Sequence, residues 1–214
     1  MSSLTLSPAT QEDAMRIAAI HIAAFDVNPL LHAQFPTPQD LANLEEFLAE
    51  DTTEELSDPM KAVLVVKTGE GKIISFAKWT LPEAGDQVLH EDTAWPKGCV
   101  RGLLDEYYMK AEGVKRTVIG GEKCYRLAVL ATDPEYEHRG AASMLLQWGM
   151  ALSTKEGIPA YLESTVEAAP LYERHGFKPE GSFTMVFSLK GETDRLFEYS
   201  ETCFVLRPPG GRPS

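Results

Sequence analysis

The stretch Leu130-Ala-Thr-Asp-Pro-Glu-Tyr-Glu-His-Arg-Gly-Ala-Ala-Ser143 holds a strand end, a turn and a helix start in succession. The strand-forming run over 125–130 stops at Asp133-Pro134, a turn dipeptide. Gly140, Ala141 and Ala142 then open a helix expected over 140–156, with Met144, Leu145, Trp148 and Leu152 along one side. Gly157 is placed to close that helix and Pro159 to stop it. The first turn of a helix carries unpaired N–H donors and a partial positive charge, and small side chains leave those donors uncovered. The loop is therefore suited to an anion such as phosphate, with His138 and Arg139 as added donors. Small residues also let a helix pack closely on a sheet, and the loop alone leaves both readings open.

Upstream, residues 4–6 read as a short strand, and Thr10 with Asp13 as the cap of a helix. Ala14, Ile17, Ala18, His21, Ala24 and Phe25 recur at helical period, and Asn28-Pro29 is expected to stop that helix. A second helix follows Pro38, with Leu41, Leu44, Phe47 and Leu48 on one face. Residues 62–66 and 73–79 are strands joined through the hairpin signal Thr68-Gly-Glu-Gly-Lys72. The polar stretch 82–123, broken by Pro96, Gly98 and Gly120-Gly121, reads as an insertion between strands with one helix over 100–109. Downstream come a strand over 160–164, a helix over 167–175 closed by Gly176, and a hairpin of strands 183–189 and 196–206. The Pro/Gly-rich tail 208–214 is expected to be disordered. Helix and strand alternate in the middle and hairpins flank them, so the fold class is α/β (α+β, mixed sheet), as one domain over 1–207.

Composition narrows the partners. The chain of 214 residues is 43% apolar and 24% charged, which excludes a disordered, collagen-like or cysteine-rich scaffold. Twenty Lys and Arg against 32 Asp and Glu give a net charge of −12, which repels nucleic-acid phosphates. The acidic groups serve solubility, or line a site that attracts a cationic amine. Cys99, Cys124 and Cys203 are odd in number and lack CxxC spacing, so neither a disulfide framework nor a zinc site is expected, and a reducing, cytoplasmic location fits. No signal peptide is read at 1–6, and no apolar run approaches the roughly 20 residues of a membrane span.

Two segments carry a family resemblance. Pro134-x-Tyr-x-x-Arg-Gly-x-Ala-Ser143 followed by Met144-Leu-Leu146 resembles the acetyl-CoA loop of the GNAT N-acetyltransferase superfamily. The family motif Gln/Arg-x-x-Gly-x-Gly/Ala stands here as Glu137-His-Arg-Gly-Ala-Ala142. Ala169-Pro-Leu-Tyr-Glu-Arg-His-Gly-Phe177 is similar to the family's Leu-Tyr-Glu-Lys-x-Gly-Phe segment, in the family's order and spacing. The ending Cys203-Phe-Val-Leu-Arg-Pro-Pro209 resembles the last strand of fungal members. The resemblance implies a mostly antiparallel central sheet with a splayed strand pair, flanked by helices. It implies transfer of an acetyl group from acetyl-CoA to a primary amine, by direct attack in a ternary complex.

By the same resemblance the backbone of Leu130, Ala131 and Thr132 pairs with the pantetheine amides. Residues Glu137, His138, Arg139, Gly140, Ala141, Ala142 and Ser143 hold the pyrophosphate, and Thr165 stands where many relatives carry an Asn that touches the cofactor. Glu137 departs from the family's Gln or Arg, and is expected to turn away or pair with Arg139. Tyr172 matches the tyrosine that protonates the leaving thiolate, for which a phenol of pKa about 10 is a suitable acid. A protein that holds CoA without catalysis is the alternative, whereas a Rossmann-type nucleotide binder lacks its G-x-G-x-x-G here.

The proton acceptor must come from elsewhere, because the strand before the loop offers only Tyr125 and Arg126 as ionisable groups. Glu163 is the candidate base, with binding of the substrate cation or capping of the next helix as its other roles. His21 falls within the apolar pattern of its helix, and His175 ends a helix. The acceptor site is expected between the first two helices and the insertion, with Phe25 and Phe35 as apolar walls and Asp26 as a cation contact. Trp79, Trp95, Tyr107 and Tyr108 add aromatic surface or fill the core. The acceptor is a small amine, a polyamine, an amino sugar, or a peptide N-terminus or lysine, and the acidic balance favours a small cationic amine. Pairing through the last strands would give a homodimer.

Overall fold

Every run expected to be a strand joins one sheet. The computed structural model describes residues 3–82, 95–192 and 194–209; residues 83–94 of the expected insertion and 210–214 of the expected tail lie outside the described residues. The elements are β1 (Thr5–Pro8), α1 (Ala14–Phe25), α2 (Pro29–Gln34), α3 (Pro38–Glu55), β2 (Lys61–Lys67), β3 (Ile73–Thr80), α4 (Arg101–Ile119), β4 (Tyr125–Thr132), α5 (Ala141–Glu156), β5 (Ala160–Thr165), α6 (Ala169–Arg174), β6 (Lys178–Phe187) and β7 (Phe197–Leu206). The strand order is β1-β2-β3-β4-β5-β7-β6. All neighbours run antiparallel except β4 and β5. Among the described residues no helix is long and apolar enough to cross a membrane.

Alternation along the strands splits the core in two. Leu64, Val66, Ile74, Leu127, Leu162 and Phe204 face Leu145 and Leu146 of α5 and Tyr172 of α6. Val63, Val65 and Phe76 face Ile17 and Ile20 of α1. On that same face Tyr161, Phe183, Cys203 and Val205 pack on Ala111 and Ile119 of α4. Strands covered on both sides read as unbroken apolar runs, which is why Ala62-Val-Leu-Val-Val66 shows no alternation in sequence.

The larger differences from expectation have local causes. Pro29 does not merely stop α1; it opens α2, where Asn28 accepts the Leu30 N–H at 2.9 Å and a first-turn proline gives up no helical hydrogen bond. The helix in the expected insertion continues well past Met109 to Ile119, because Ala111, Val114, Val118 and Ile119 bury one face on the sheet. Strand β6 begins at Lys178, ahead of the expected Phe183, through a bulge between Pro179 and Gly181. A Cβ on Gly181 would sit 2.7 Å from Val114 Cγ1, so the glycine lets β6 approach α4.

Trp79 is core, at 1% exposure, and packs against Trp148 and the backbone of Gly149. A Cβ at Gly149 would lie 2.3 Å from the Trp79 ring. Gly149→Ala is therefore expected to lower the unfolding free energy by about 1–3 kcal/mol despite alanine's better helix propensity. Urea denaturation reads this directly, and an unchanged midpoint would contradict the packing described.

Candidate active site

Strands β4 and β5 pair only at Tyr125↔Ala160, Arg126↔Tyr161 and Leu127↔Leu162. Beyond that point β4 stays on β3 as far as Ser75↔Thr132, and β5 stays on β7 as far as Thr165↔Glu201. The two strands therefore part, and their facing backbone edges, 128–132 and 163–165, have no strand partner among the described residues. Ala128, skipped by the register between β3 and β4, is exposed in the middle of the sheet. Ser75 fixes the end of β4, its hydroxyl donating to the Ala131 carbonyl at 2.8 Å and lying 2.8 Å from Thr132 Oγ1. Unpaired N–H and C=O groups on such edges are a template for an extended ligand rich in amides.

The loop at the end of β4 turns the chain into α5. Asp133 caps a 3-10 turn over Pro134–Tyr136 by accepting the Glu135 N–H at 3.0 Å. Arg16 of α1 donates to the Asp133 carboxylate and, through Nε, to the Ile73 carbonyl at 3.2 Å. Burial pushes Asp133 up, but the bonds from Arg16 and the Glu135 N–H outweigh it and hold the carboxyl below its usual range. His138 (φ +59°) and Gly140 (φ +88°) adopt the left-handed conformation that aims the first turn of α5 at the splay. Among the described residues, a side-chain carbon at Gly140 would meet nothing within 4 Å, so they leave the space before the helix open.

The loop side chains sort themselves around that opening. Glu137 is 54% exposed and lies 3.9 Å from His138 Nε2, so it turns outward and pairs with His138 rather than with Arg139. Arg139 donates to the Glu135 carbonyl at 3.2 Å and covers the Tyr136 ring at 4.6 Å. Lys72 covers the same ring at 4.4 Å. Three basic groups thus surround the loop of a chain whose net charge is −12. Ala141 is buried, while Ala142 and Ser143 are half-buried. Across the splay, Ser164 donates to the Thr165 carbonyl at 2.8 Å, and Thr165 remains half-buried.

Tyr172 sits on α6 with its ring held between Phe177 and Phe204, at centroid distances of 6.2 and 6.1 Å. Its hydroxyl makes no hydrogen bond among the described residues. Burial, with the charge of Glu201 second, pushes the phenol above its usual range, so it stays protonated at neutral pH.

The opposite face of the sheet carries carboxylates. Glu163 is 7% exposed at its side chain and accepts from Arg126 at 2.8 Å; the other arm of Arg126 reaches Glu112 of α4. Glu201 is buried at 6% exposure. It accepts from Tyr107 of α4 at 3.1 and 3.2 Å, and from Tyr199. Burial first, with Glu163 adding, pushes Glu201 up to about 7, against the pull of Tyr199, Tyr107 and Arg126. Glu201 was not legible as a site residue: Glu198-Tyr-Ser-Glu-Thr202 reads as a polar strand, and its burial is created by α4 from elsewhere in the chain.

The other expected residues divide. Phe25 is half-buried with its ring 5.0 Å from His21, and Asp26 is 65% exposed beside His32 at 3.6 Å. Phe35 is 3% exposed and packs with Leu31 and Leu44, so it is core and not a wall of an open site. His21 lies in the α1 packing, where burial, then Lys78, pushes it down to about 4. His175 Nδ1 lies 2.9 Å from the Leu171 carbonyl. Trp95 donates to Asp105 at 2.8 Å.

Comparison with known proteins agrees with this architecture. Residues 61–179 match a family model described as "Acetyltransferase (GNAT) domain". No curated protein sequence matches the chain. Among solved structures it resembles a protein described as histone acetyltransferase HPA2 and related acetyltransferase from Corynebacterium glutamicum, at 23% identity and TM-score 0.61, over 100% of this chain and 99% of that one. It resembles a mosquito arylalkylamine N-acetyltransferase-like protein at 18% identity and TM-score 0.63, over 96% and 100% of the two chains. It also resembles an agmatine N-acetyltransferase at 19% identity and TM-score 0.65, over 95% and 99%. At these identities the likeness is one of fold.

Proposed function

The chain belongs to the GNAT acetyltransferase family, and from that premise we propose that it transfers the acetyl group of acetyl-CoA to a primary amine by direct attack in a ternary complex. One observation carries the reading: the splay between β4 and β5 ends at the N-terminus of α5, entered through the left-handed Gly140. Free backbone amides and free helix donors are the partners that a pantetheine arm and a pyrophosphate need. Leu130, Ala131 and Thr132 hold the arm. Gly140, Ala141, Ala142 and Ser143 hold the pyrophosphate with backbone donors, helped by His138 and Arg139; Glu137 is turned outward. Thr165 lines the far side of the splay. Acetyl-CoA, when bound, supplies the activated thioester. Tyr172 gives a proton to the departing sulfur.

The acceptor is a small cationic amine. Glu163 and Glu201 share the face opposite α5, and Glu167 lies close enough to Tyr199 to raise it further. Asn28 also lies beside Tyr199, which brings the α1–α2 turn to this face, with Phe25 and Asp26 leading into it. Val27 and Val166, 92% and 65% exposed, belong to those two loops and favour an apolar body on the amine. Solved relatives named for agmatine and for arylalkylamines support the same class. The three unpaired cysteines fit a reducing, cytoplasmic location.

The test is steady-state acetylation of agmatine, phenethylamine, spermidine, glucosamine and a lysine peptide, with products identified by mass spectrometry. The expected result is an acetylated small amine, with initial-velocity lines that intersect. Parallel lines would indicate an acyl-enzyme and contradict direct attack. Binding of acetyl-CoA with no amine acetylated would leave a CoA-binding protein.

A further inference from the structure

We infer that Glu201 takes the proton from the amine, with Tyr107 and Tyr199 holding its carboxylate for that task; this rests on the acetyltransferase reading above. The position comes from the register. Glu201 pairs with Thr165, the last residue of β5, and so lies at the level where β4 and β5 have already parted. Directly opposed residues of an antiparallel pair share a face, so Glu201 lies on the same side as Thr165 and Glu163, away from α5.

The two carboxylates on that face differ in their partners. Glu163 accepts from the Arg126 guanidinium, so a proton taken up there would break an ion pair already formed. Among the described residues Glu201 is bonded only by two phenols, and no cationic side chain bonds to it. Burial pushes both phenols above their usual range, so they remain donors at neutral pH. A buried carboxylate with no cation bonded to it favours either a cationic guest or a proton. An ammonium substrate supplies both in succession.

The ammonium nitrogen gives one proton to Glu201, and its freed electron pair forms the bond to the acetyl carbonyl carbon as the carbon–sulfur bond breaks. The nitrogen loses its second proton, and the sulfur gains one from Tyr172, which recovers its own from that exchange. Glu201 then releases its proton to solvent.

The groups that face Glu201 come from four elements: Tyr107 of α4, Tyr199 and Cys203 of β7, Glu163 of β5 and Arg126 of β4, while Tyr172 of α6 feels its charge from the other side of the sheet. They set the signs. Activity needs the ionised carboxylate, so kcat rises with pH through the range near 7 in which Glu201 loses its proton. Tyr107→Phe or Tyr199→Phe removes a bond that favours the ionised form, and moves that limb to higher pH. Glu163→Gln removes a neighbouring negative charge and moves it to lower pH.

The experiment measures kcat against pH for wild type, Glu201→Gln, Glu163→Gln and Tyr107→Phe. The probe is the amine acetylated fastest by wild type among agmatine, phenethylamine and spermidine, and acetyl-CoA affinity is measured alongside by calorimetry. Glu201→Gln is expected to bind acetyl-CoA as wild type does, to lose about 10²–10⁴-fold in plateau kcat and to lose the acid limb. The other two variants are expected to keep a limb, displaced in opposite directions. An infrared band of a protonated carboxyl that disappears near neutral pH in wild type, and is absent from Glu201→Gln, reads the same group without turnover. Wild-type rate and limb in a Glu201→Gln protein that binds acetyl-CoA would overturn the assignment alone. A folded wild type that neither binds acetyl-CoA nor acetylates an amine would overturn the acetyltransferase reading, and the assignment with it.

Discussion

Replacing Tyr172 by Phe is expected to lower kcat by about 10²–10⁴-fold, the usual contribution of a positioned acid. Acetyl-CoA affinity and thermal stability should hardly change. The ring makes the packing contacts with Phe177 and Phe204, and Phe keeps the ring. The hydroxyl makes no hydrogen bond among the described residues, so its loss leaves no orphaned partner. A thiolate must be protonated as it leaves, and the raised phenol provides a proton throughout the neutral range. Steady-state kinetics with differential scanning calorimetry checks both halves. A variant with wild-type kcat would make Tyr172 a packing residue only.

Gly140→Glu is expected to weaken acetyl-CoA binding by at least about a hundredfold, or about 2.7 kcal/mol. Two effects act together. At φ +88° a side chain costs roughly 1 kcal/mol or more of backbone strain. The added carboxylate stands in the open space before α5, where it competes with a pyrophosphate for the same donors and repels it. Gly140→Ala carries the strain without the charge, so its loss should be much smaller. Calorimetric titration of both variants, with circular dichroism to show that they fold, separates the two contributions. Equal losses would mean that loop conformation, and not anion repulsion, dominates.

The loop was readable because its chemistry is local. Asp133-Pro134, the glycine at 140 and the small residues after it dictate a strand end, a turn and an open helix start, and all three are present. The hairpin at 68–72 was readable for the same reason. What sequence could not reveal is set by tertiary contact. The second half of α4 is polar except for Ala111, Val114, Val118 and Ile119, whose helical spacing was the available signal. Lys178-Pro-Glu-Gly-Ser182 lies ahead of the expected strand, yet becomes part of it because Gly181 fits beneath α4. Phe35 looks like a wall in a loop, but α2 and α3 close over it. Glu201 follows the same logic: its neighbours in sequence are polar, and its burial depends on Tyr107, far away in the chain.

Calorimetric titration of acetyl-CoA into the wild-type protein shows whether the splay and the α5 N-terminus form an acetyl-CoA site. Saturable micromolar binding to one site per chain, competed by CoA, is expected. A folded protein that gives no binding heat at several temperatures, and is not protected by acetyl-CoA against thermal unfolding, would contradict it.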